Sequence, residues 1–278
     1  MKKIKIPENA RYINLGCGDY FVDSNEWANY DWAPKSKAVI QANLIAQFIN
    51  KGNAIEFIYM SHYLEHLPLP LAEEVLKNCF KILNKNGIIR IVVPDLENIC
   101  REYVNQLDSR DDLKSRFVSI ELLDQLVRKT SGGLLTKQYE AAAKNETLKK
   151  YIKKRIGHNF VENNTGQMKV SRIQKVVQNP RIIIRKINEK YTRFVIFFIP
   201  KQYKLQEISQ INHGERHHWV YDFYYIKEIL EKIGFSQVYK VDAGFSNQKG
   251  FPFQPLDFDQ NNDIRKGEES MFIEAIKK

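Results

Sequence analysis

Two short, mostly apolar runs on either side of one amphipathic stretch constrain this chain more than any other feature. Residues 55–60 and 88–93 read as buried strands, the first ended by Ser61-His62 and the second by Pro94. Between them Pro70 opens a segment in which Val75, Leu76, Cys79, Phe80 and Leu83 recur at three- and four-residue spacing, and Asn86-Gly87 closes it. That spacing predicts a helix with one face on the sheet. Strand, helix and strand within about 40 residues make the right-handed crossover unit that joins parallel strands. Residues 11–15 add another buried run, ended by Gly16-Cys17-Gly18. Late in the chain, Ile226, Ile229, Leu230 and Ile233 predict a helix terminated by Gly234, followed by strands at 237–241 and 271–276. The expected fold class is α/β, a doubly wound and mostly parallel sheet.

Residues 101–215 depart from this pattern. They are polar and basic, with helical stretches at 117–128 and 140–156. We expect a long, mainly helical insertion between the fifth and sixth strands, so that residues 1–100 and 217–278 form a discontinuous α/β domain and 101–216 the insertion. The net charge of +10 is concentrated there, because residues 144–204 hold 16 Lys and Arg against 3 Asp and Glu. Charged and apolar groups alternate at 181–186 and 191–200, which suits an anionic membrane surface contacted through 169–204, or a phosphate-bearing carrier. A solvated helical face is the alternative. Cys17, Cys79 and Cys100 have neither metal-ligand spacing nor a disulfide framework, and the basic N-terminus lacks the apolar stretch of a signal peptide. No apolar run approaches the 18 residues of a membrane span. The expected location is cytoplasmic, peripheral to the inner face of the membrane if the basic segment engages lipid.

The turn Leu15-Gly16-Cys17-Gly18 follows a strand directly, and glycines there let backbone approach a ligand closely. A dinucleotide fingerprint would place a third glycine where Phe21 stands, which argues against a pyrophosphate ligand. Asp31 follows Gly18 at the tip of a second strand, where a carboxylate can accept two hydrogen bonds from ribose hydroxyls. His62 lies just beyond the fourth strand and Asp95 just beyond the fifth, at the carboxyl edge where open α/β sheets bind ligands. His62 and His66 are spaced as a metal pair on one helical face would be, but no third ligand at recognisable spacing accompanies them, and no metal is expected. Hydrogen bonding by Glu65 and His66 to fix the loop is the plainer reading. His213, His217 and His218 crowd beside Trp219 and suit a proton acceptor over a sugar ring or a polar hinge.

Four blocks in this order, Leu15-Gly16-Cys17-Gly18, Trp27 to Asp31, Ser61 to His66 and Val93 to Glu97, resemble the class I S-adenosylmethionine-dependent methyltransferases. More narrowly they resemble the bacterial cell-surface-carbohydrate (methyltransferase type 11-like) group. The likeness covers residues 11–100 and returns through His218-Trp219-Val220-Tyr221-Asp222, Ile233-Gly234-Phe235 and Glu269-Ser270-Met271-Phe272-Ile273-Glu274-Ala275. It implies a seven-stranded Rossmann-like methyltransferase sheet with S-adenosylmethionine as cofactor and S-adenosylhomocysteine as product. By the same resemblance Gly16 and Gly18 lie under the methionine part and Asp31 holds the ribose. Asn43 and Leu44 flank the adenine, with Leu15, Cys17, Ser61 and His62 completing the wall. Asn43 departs from the family, which commonly has Asp there, and Glu56 stands where the family tends to place Asp.

Methyl transfer from a sulfonium needs alignment and exclusion of water, and a sugar hydroxyl must also lose its proton. The resemblance favours His218 as proton acceptor, with His62 and Asp95 as the other candidates. The expected function is O-methylation of a saccharide of a surface polysaccharide, lipopolysaccharide or glycan precursor. A nucleic-acid methyltransferase using the basic insertion is the alternative enzyme, though the chain has no RNP-like aromatic signature. A non-catalytic binding module on the same fold is the alternative outside enzymes.

Overall fold

The computed structural model describes residues 3–44, 48–49, 54–129, 131–157, 190–191, 194–195, 197–198 and 216–278. Most of the segment expected at a membrane surface, and His213, lie outside them. Among the described residues no helix is long and apolar enough to cross a membrane.

The chain opens with β1 (Ile4–Lys5), β2 (Tyr12–Leu15), β3 (Trp27–Asp31) and β4 (Val39–Gln41), then β5 (Phe48–Ile49), which pairs with β1 in a separate ribbon. Next come β6 (Ile55–Ser61), helix α1 (Leu69–Ile82) and β7 (Leu83–Pro94). Helices α2 (Leu96–Asp108), α3 (Asp112–Val127), α4 (Gly133–Ala142) and α5 (Glu146–Ile156) follow, before α6 (Phe223–Ile233), β8 (Phe235–Val241) and β9 (Ser270–Lys277) complete the fold. Seven strands form one sheet in the order β4-β3-β2-β6-β7-β9-β8. All pairings are parallel except those of β9, which runs antiparallel between β7 and β8. From β2 the chain winds outward to β4, then returns to β2's other edge and winds the opposite way. The doubly wound, mostly parallel seven-stranded sheet is therefore present, and its topological switch point lies between β2 and β6.

The helix expected to run to Asn86-Gly87 is shorter. Leu83 is already extended, with φ −65° and ψ 140°, and it pairs with Ile55 on β6. Asn86, at φ +64°, instead lies where the β6–β7 register shifts between Ile55 and Phe57. The single helix expected over 140–156 is two, because the Asn145 side chain accepts the Leu148 N–H at 3.0 Å and starts α5 afresh. The Gly234 terminator is as expected, at φ +118°.

Helices α2 to α5 enclose an apolar core of their own, built on Ile99, Phe117, Val118, Leu135, Leu148 and Ile152. A buried ion pair, Arg155 with Glu121 at 2.7 Å, joins α5 to α3. The end of α5 also meets the loop before β9 along a backbone seam. Glu268 and Glu269 N–H groups donate to the Lys154 and Arg155 carbonyls at 3.2 and 3.0 Å. Gly157 and Gly267 stand there because a Cβ on either would strike the backbone opposite, Arg265 in one case and Arg155 in the other.

On the sheet itself Arg90 is fully buried in β7. Its guanidinium reaches Asp257 at 2.9 Å and Glu274 at 2.8 Å, donates to the Phe245 and Ala243 carbonyls at 2.8 and 3.2 Å, and lies over the rings of Phe251 and Phe272. One side chain thus ties three segments of the β8–β9 region to the centre of the sheet.

Candidate functional site

Ligands of open α/β sheets bind outside the carboxyl ends of the strands at the switch point. Here that crevice is bordered by the turn after β2 and the turn after β6. Gly16 and Gly18 both adopt positive φ, +65° and +55°. The Gly16 and Cys17 N–H groups donate to the Tyr30 carbonyl at 2.9 and 3.1 Å, fixing the turn against β3. The Gly18 N–H donates to Asp31 Oδ2 at 2.9 Å, and Ala33 N–H donates to Asp31 Oδ1 at 2.8 Å. Both oxygens of Asp31 are held in place, and each retains a lone pair for a further donor.

The two glycines differ in what they make room for. A Cβ on Gly18 would meet open space, whereas one on Gly16 would lie 2.7–2.9 Å from the ring and Cβ of Tyr63. Gly18 is the position that leaves backbone open to a ligand; Gly16 lets Tyr63 close over the switch point. Gly16→Ala is expected to cost about 1–2 kcal/mol from the left-handed backbone alone, plus the displacement of Tyr63. Thermal melts of Gly16→Ala with and without Tyr63→Ala check this: the second change should recover part of the loss, and no recovery would mean the ring is not the obstacle.

The other expected cofactor residues divide. Leu15 and Leu44 are buried in the main core and Asn43 is exposed. Cys17 is buried, and desolvation pushes its thiol up to about 12, so it stays a neutral thiol. Ser61 ends β6. Leu44 has the place of a packing residue in this arrangement.

His62 takes a left-handed backbone, φ +49°, which is strained for a residue with a Cβ. Its N–H donates to the Val92 carbonyl at 2.8 Å. The ring spans two partners, with Nε2 2.9 Å from Ser270 Oγ and Nδ1 3.2 Å from Glu65 Oε1. Burial and the nearby Lys266 hold His62 well below the ordinary histidine range, so the ring is neutral. It faces a cavity of ≈ 170 Å³ shared with His217, Lys266, Glu269 and the insertion residues Gln125 and Tyr139. His218 is placed differently: its N–H donates to the Glu65 carbonyl at 2.7 Å, but its ring is exposed and lines neither this cavity nor the larger one below. Asp95 caps α2 by accepting from the Glu97 and Asn98 N–H groups, and its other oxygen pairs with Lys240 at 2.9 Å. Those contacts occupy both of its oxygens and position α2.

Buried Glu65 and His217 cluster with half-buried His66. The sequence suggests His62 with His66 as a pair, but His62 turns to Ser270 while His66 meets His217, ring centroids 4.8 Å apart. Burial pushes Glu65 up to about 8 and His217 down to about 2. Lys266, Glu269 and Ser270 are absent from the expected site. They belong to the approach to β9 and to its first residue, and only the antiparallel insertion of that strand brings them to the turn after β6.

A larger cleft of ≈ 1150 Å³ lies between α5 and the β8–β9 edge. Lys150, Lys153, Lys154, Lys240 and Lys266 line it together with Asp95 and Ser270. Of these, Lys154 pairs with Glu268 at 2.8 Å and Lys240 with Asp95 at 2.9 Å.

No protein-family model matches the chain, and no curated protein matches it. Solved structures do. The chain is similar to PKMT2 from Rickettsia typhi in complex with AdoHcy, at 14% identity and a TM-score of 0.38, over 96% of this chain and 49% of that one. It is also similar to a SAM dependent methyltransferase from Archaeoglobus fulgidus, at 12% identity and a TM-score of 0.37, over 98% of this chain and 88% of that one. This chain thus spans about half the length of the Rickettsia protein.

Proposed function

We propose that the protein binds S-adenosylmethionine at the β2–β6 switch point and methylates a hydroxyl of a saccharide acceptor, one from a surface polysaccharide, lipopolysaccharide or glycan precursor. The observation that carries the cofactor reading is the Gly18–Asp31 arrangement: an open glycine backbone whose N–H orients a carboxylate at the tip of the neighbouring strand. Such a pair suits a ribose diol beside a chain that must lie close to the backbone. When bound, the cofactor supplies a methyl group activated by a sulfonium. Tyr63 packs over Gly16 and shields one side of the crevice. His62 lines a cavity that an acceptor hydroxyl can enter, whereas the exposed His218 ring lines none, so His62 is the proton acceptor in this reading. The lysine-lined cleft favours an acceptor carrying phosphate, as a glycan precursor on a phosphorylated carrier would.

Calorimetry with S-adenosylhomocysteine tests the cofactor half. Asp31→Ala should weaken binding by about 1.5–3 kcal/mol, the range for hydrogen bonds to a charged group, with the fold retained. Unchanged affinity would remove Asp31 from the site. Mass spectrometry of surface glycans with and without the protein tests the acceptor half, through a methyl-sized difference. An RNA gel shift that weakens steeply with salt, with glycans unchanged, would favour a nucleic-acid acceptor instead.

A further inference from the structure

Glu65 has no solvent exposure, and neither carboxylate oxygen has a hydrogen-bond partner. Among the described residues no Lys or Arg forms an ion pair with it; the neutral His62 ring approaches it, with Nδ1 3.2 Å away and no hydrogen bond formed. A buried carboxyl left this way costs several kcal/mol unless something satisfies it. Two imidazoles stand beside it. The ligand atoms of Glu65, His66 and His217 all lie within 4.8 Å of one another. His66 Nδ1 lies 3.0 Å from the Arg216 carbonyl, so that nitrogen carries the proton and donates, leaving Nε2 as a lone pair. A ring held by a backbone carbonyl at one nitrogen is the arrangement in which histidine ligates metals, because the outer hydrogen bond fixes both tautomer and orientation.

We propose that Glu65, His66 and His217 form a divalent-metal site, with Zn²⁺ as the matching ion. Two imidazoles, a carboxylate and one remaining position for water are a donor set that Zn²⁺ accepts in tetrahedral geometry. At bond lengths near 2.0–2.1 Å the ligand atoms of such a site stand roughly 3.3 Å apart, so side-chain shifts of about 1–1.5 Å close it. Arg128 and Lys266 are near enough to His217 to lower its basicity, so the cluster is not a pool of negative charge. Affinity must come from nitrogen ligation, which selects a borderline ion over Mg²⁺ or Ca²⁺. The metal clips the turn after β6 to the chain returning from the insertion. Three backbone hydrogen bonds already converge there: His217 N–H to Gln125 O, and the His218 and Trp219 N–H groups to Glu65 O. The site is independent of the cofactor proposal, and its test requires no activity.

Tag-free full-length protein, stripped with chelator and desalted, is titrated with ZnCl₂ by calorimetry. One equivalent per chain is expected, with a rise in melting temperature. His66→Ala and His217→Ala should each weaken binding by at least about 100-fold, beyond the roughly 10–100-fold that loss of an outer partner costs. His218→Ala should leave stoichiometry unchanged. Absence of stoichiometric binding to the unmodified protein, or binding that survives both histidine changes, overturns the site. Should either variant fail to fold, Co²⁺ added to the unmodified protein decides: intense visible bands of a four-coordinate ion support the site, and the weak spectrum of the hydrated ion refutes it.

Discussion

Replacing Arg90 with Met is expected to destabilise the protein by about 3–5 kcal/mol, the range for breaking a buried ion network by removing one partner. Methionine fills much of the volume between Phe251 and Phe272. It supplies none of the donors that now satisfy Asp257, Glu274 and two carbonyls of the β8–β9 region. The loss should depend on pH in a definite direction. Burial pushes the Asp257 carboxyl above its ordinary value, against the pull of Arg90; without the guanidinium it rises further. An acid whose folded pKa is raised binds more protons folded than unfolded, so stability falls as pH climbs from the ordinary value, near 3.9, through the raised one. Urea unfolding of both proteins should therefore show a larger gap near pH 7.5 than near about pH 5. A gap that widens on acidification would mean that Asp257 is not the group left uncompensated.

His62→Ala is expected to lower turnover by about 10²–10⁴-fold on the acceptor identified by the glycan comparison, the usual contribution of a general base. S-adenosylhomocysteine affinity should change little, because the loss belongs to the chemical step. His218→Ala should cost far less, since its ring is exposed and its anchoring contact to Glu65 is made by its backbone N–H, which alanine keeps. The two variants compared in single-turnover experiments assign the proton acceptor. If His218→Ala is the damaging change and His62→Ala keeps more than about a third of the rate, the roles are reversed.

The contrast between these histidines marks how far the sequence could be read. Strands β2, β6 and β7 were legible because both faces are buried, which gives continuous apolar runs. The glycine turn and Asp31 were legible because strand ends fix where a short polar motif must lie. The cavity around His62 was not. Ser270 opens β9, a strand whose place between β7 and β8 is set by pairing across the whole sheet, and nothing local marks it as a neighbour of residue 62. His217 belongs to a visible histidine cluster, yet its partners Glu65 and His66 are some 150 positions away, beyond any spacing rule. The break between α4 and α5 was missed for a simpler reason: Lys144-Asn145 lies within a run of good helix formers, and only the Asn145 side-chain hydrogen bond shows that a new helix starts there.

The glycine seam between α5 and the approach to β9 has a mechanical meaning. Two backbones pressed together without side chains between them, and joined by hydrogen bonds, make a stiff joint between the helical cap and the approach to β9. On one side of the seam stand the lysines of α5; on the other, two and three residues beyond Gly267, stand Glu269 and Ser270, the latter bonded to the His62 ring. An anion gripped by those lysines would load the same short stretch of chain that aims the histidine. Recognition of a distant charged group and alignment of the reacting hydroxyl would then be transmitted through a single rigid joint.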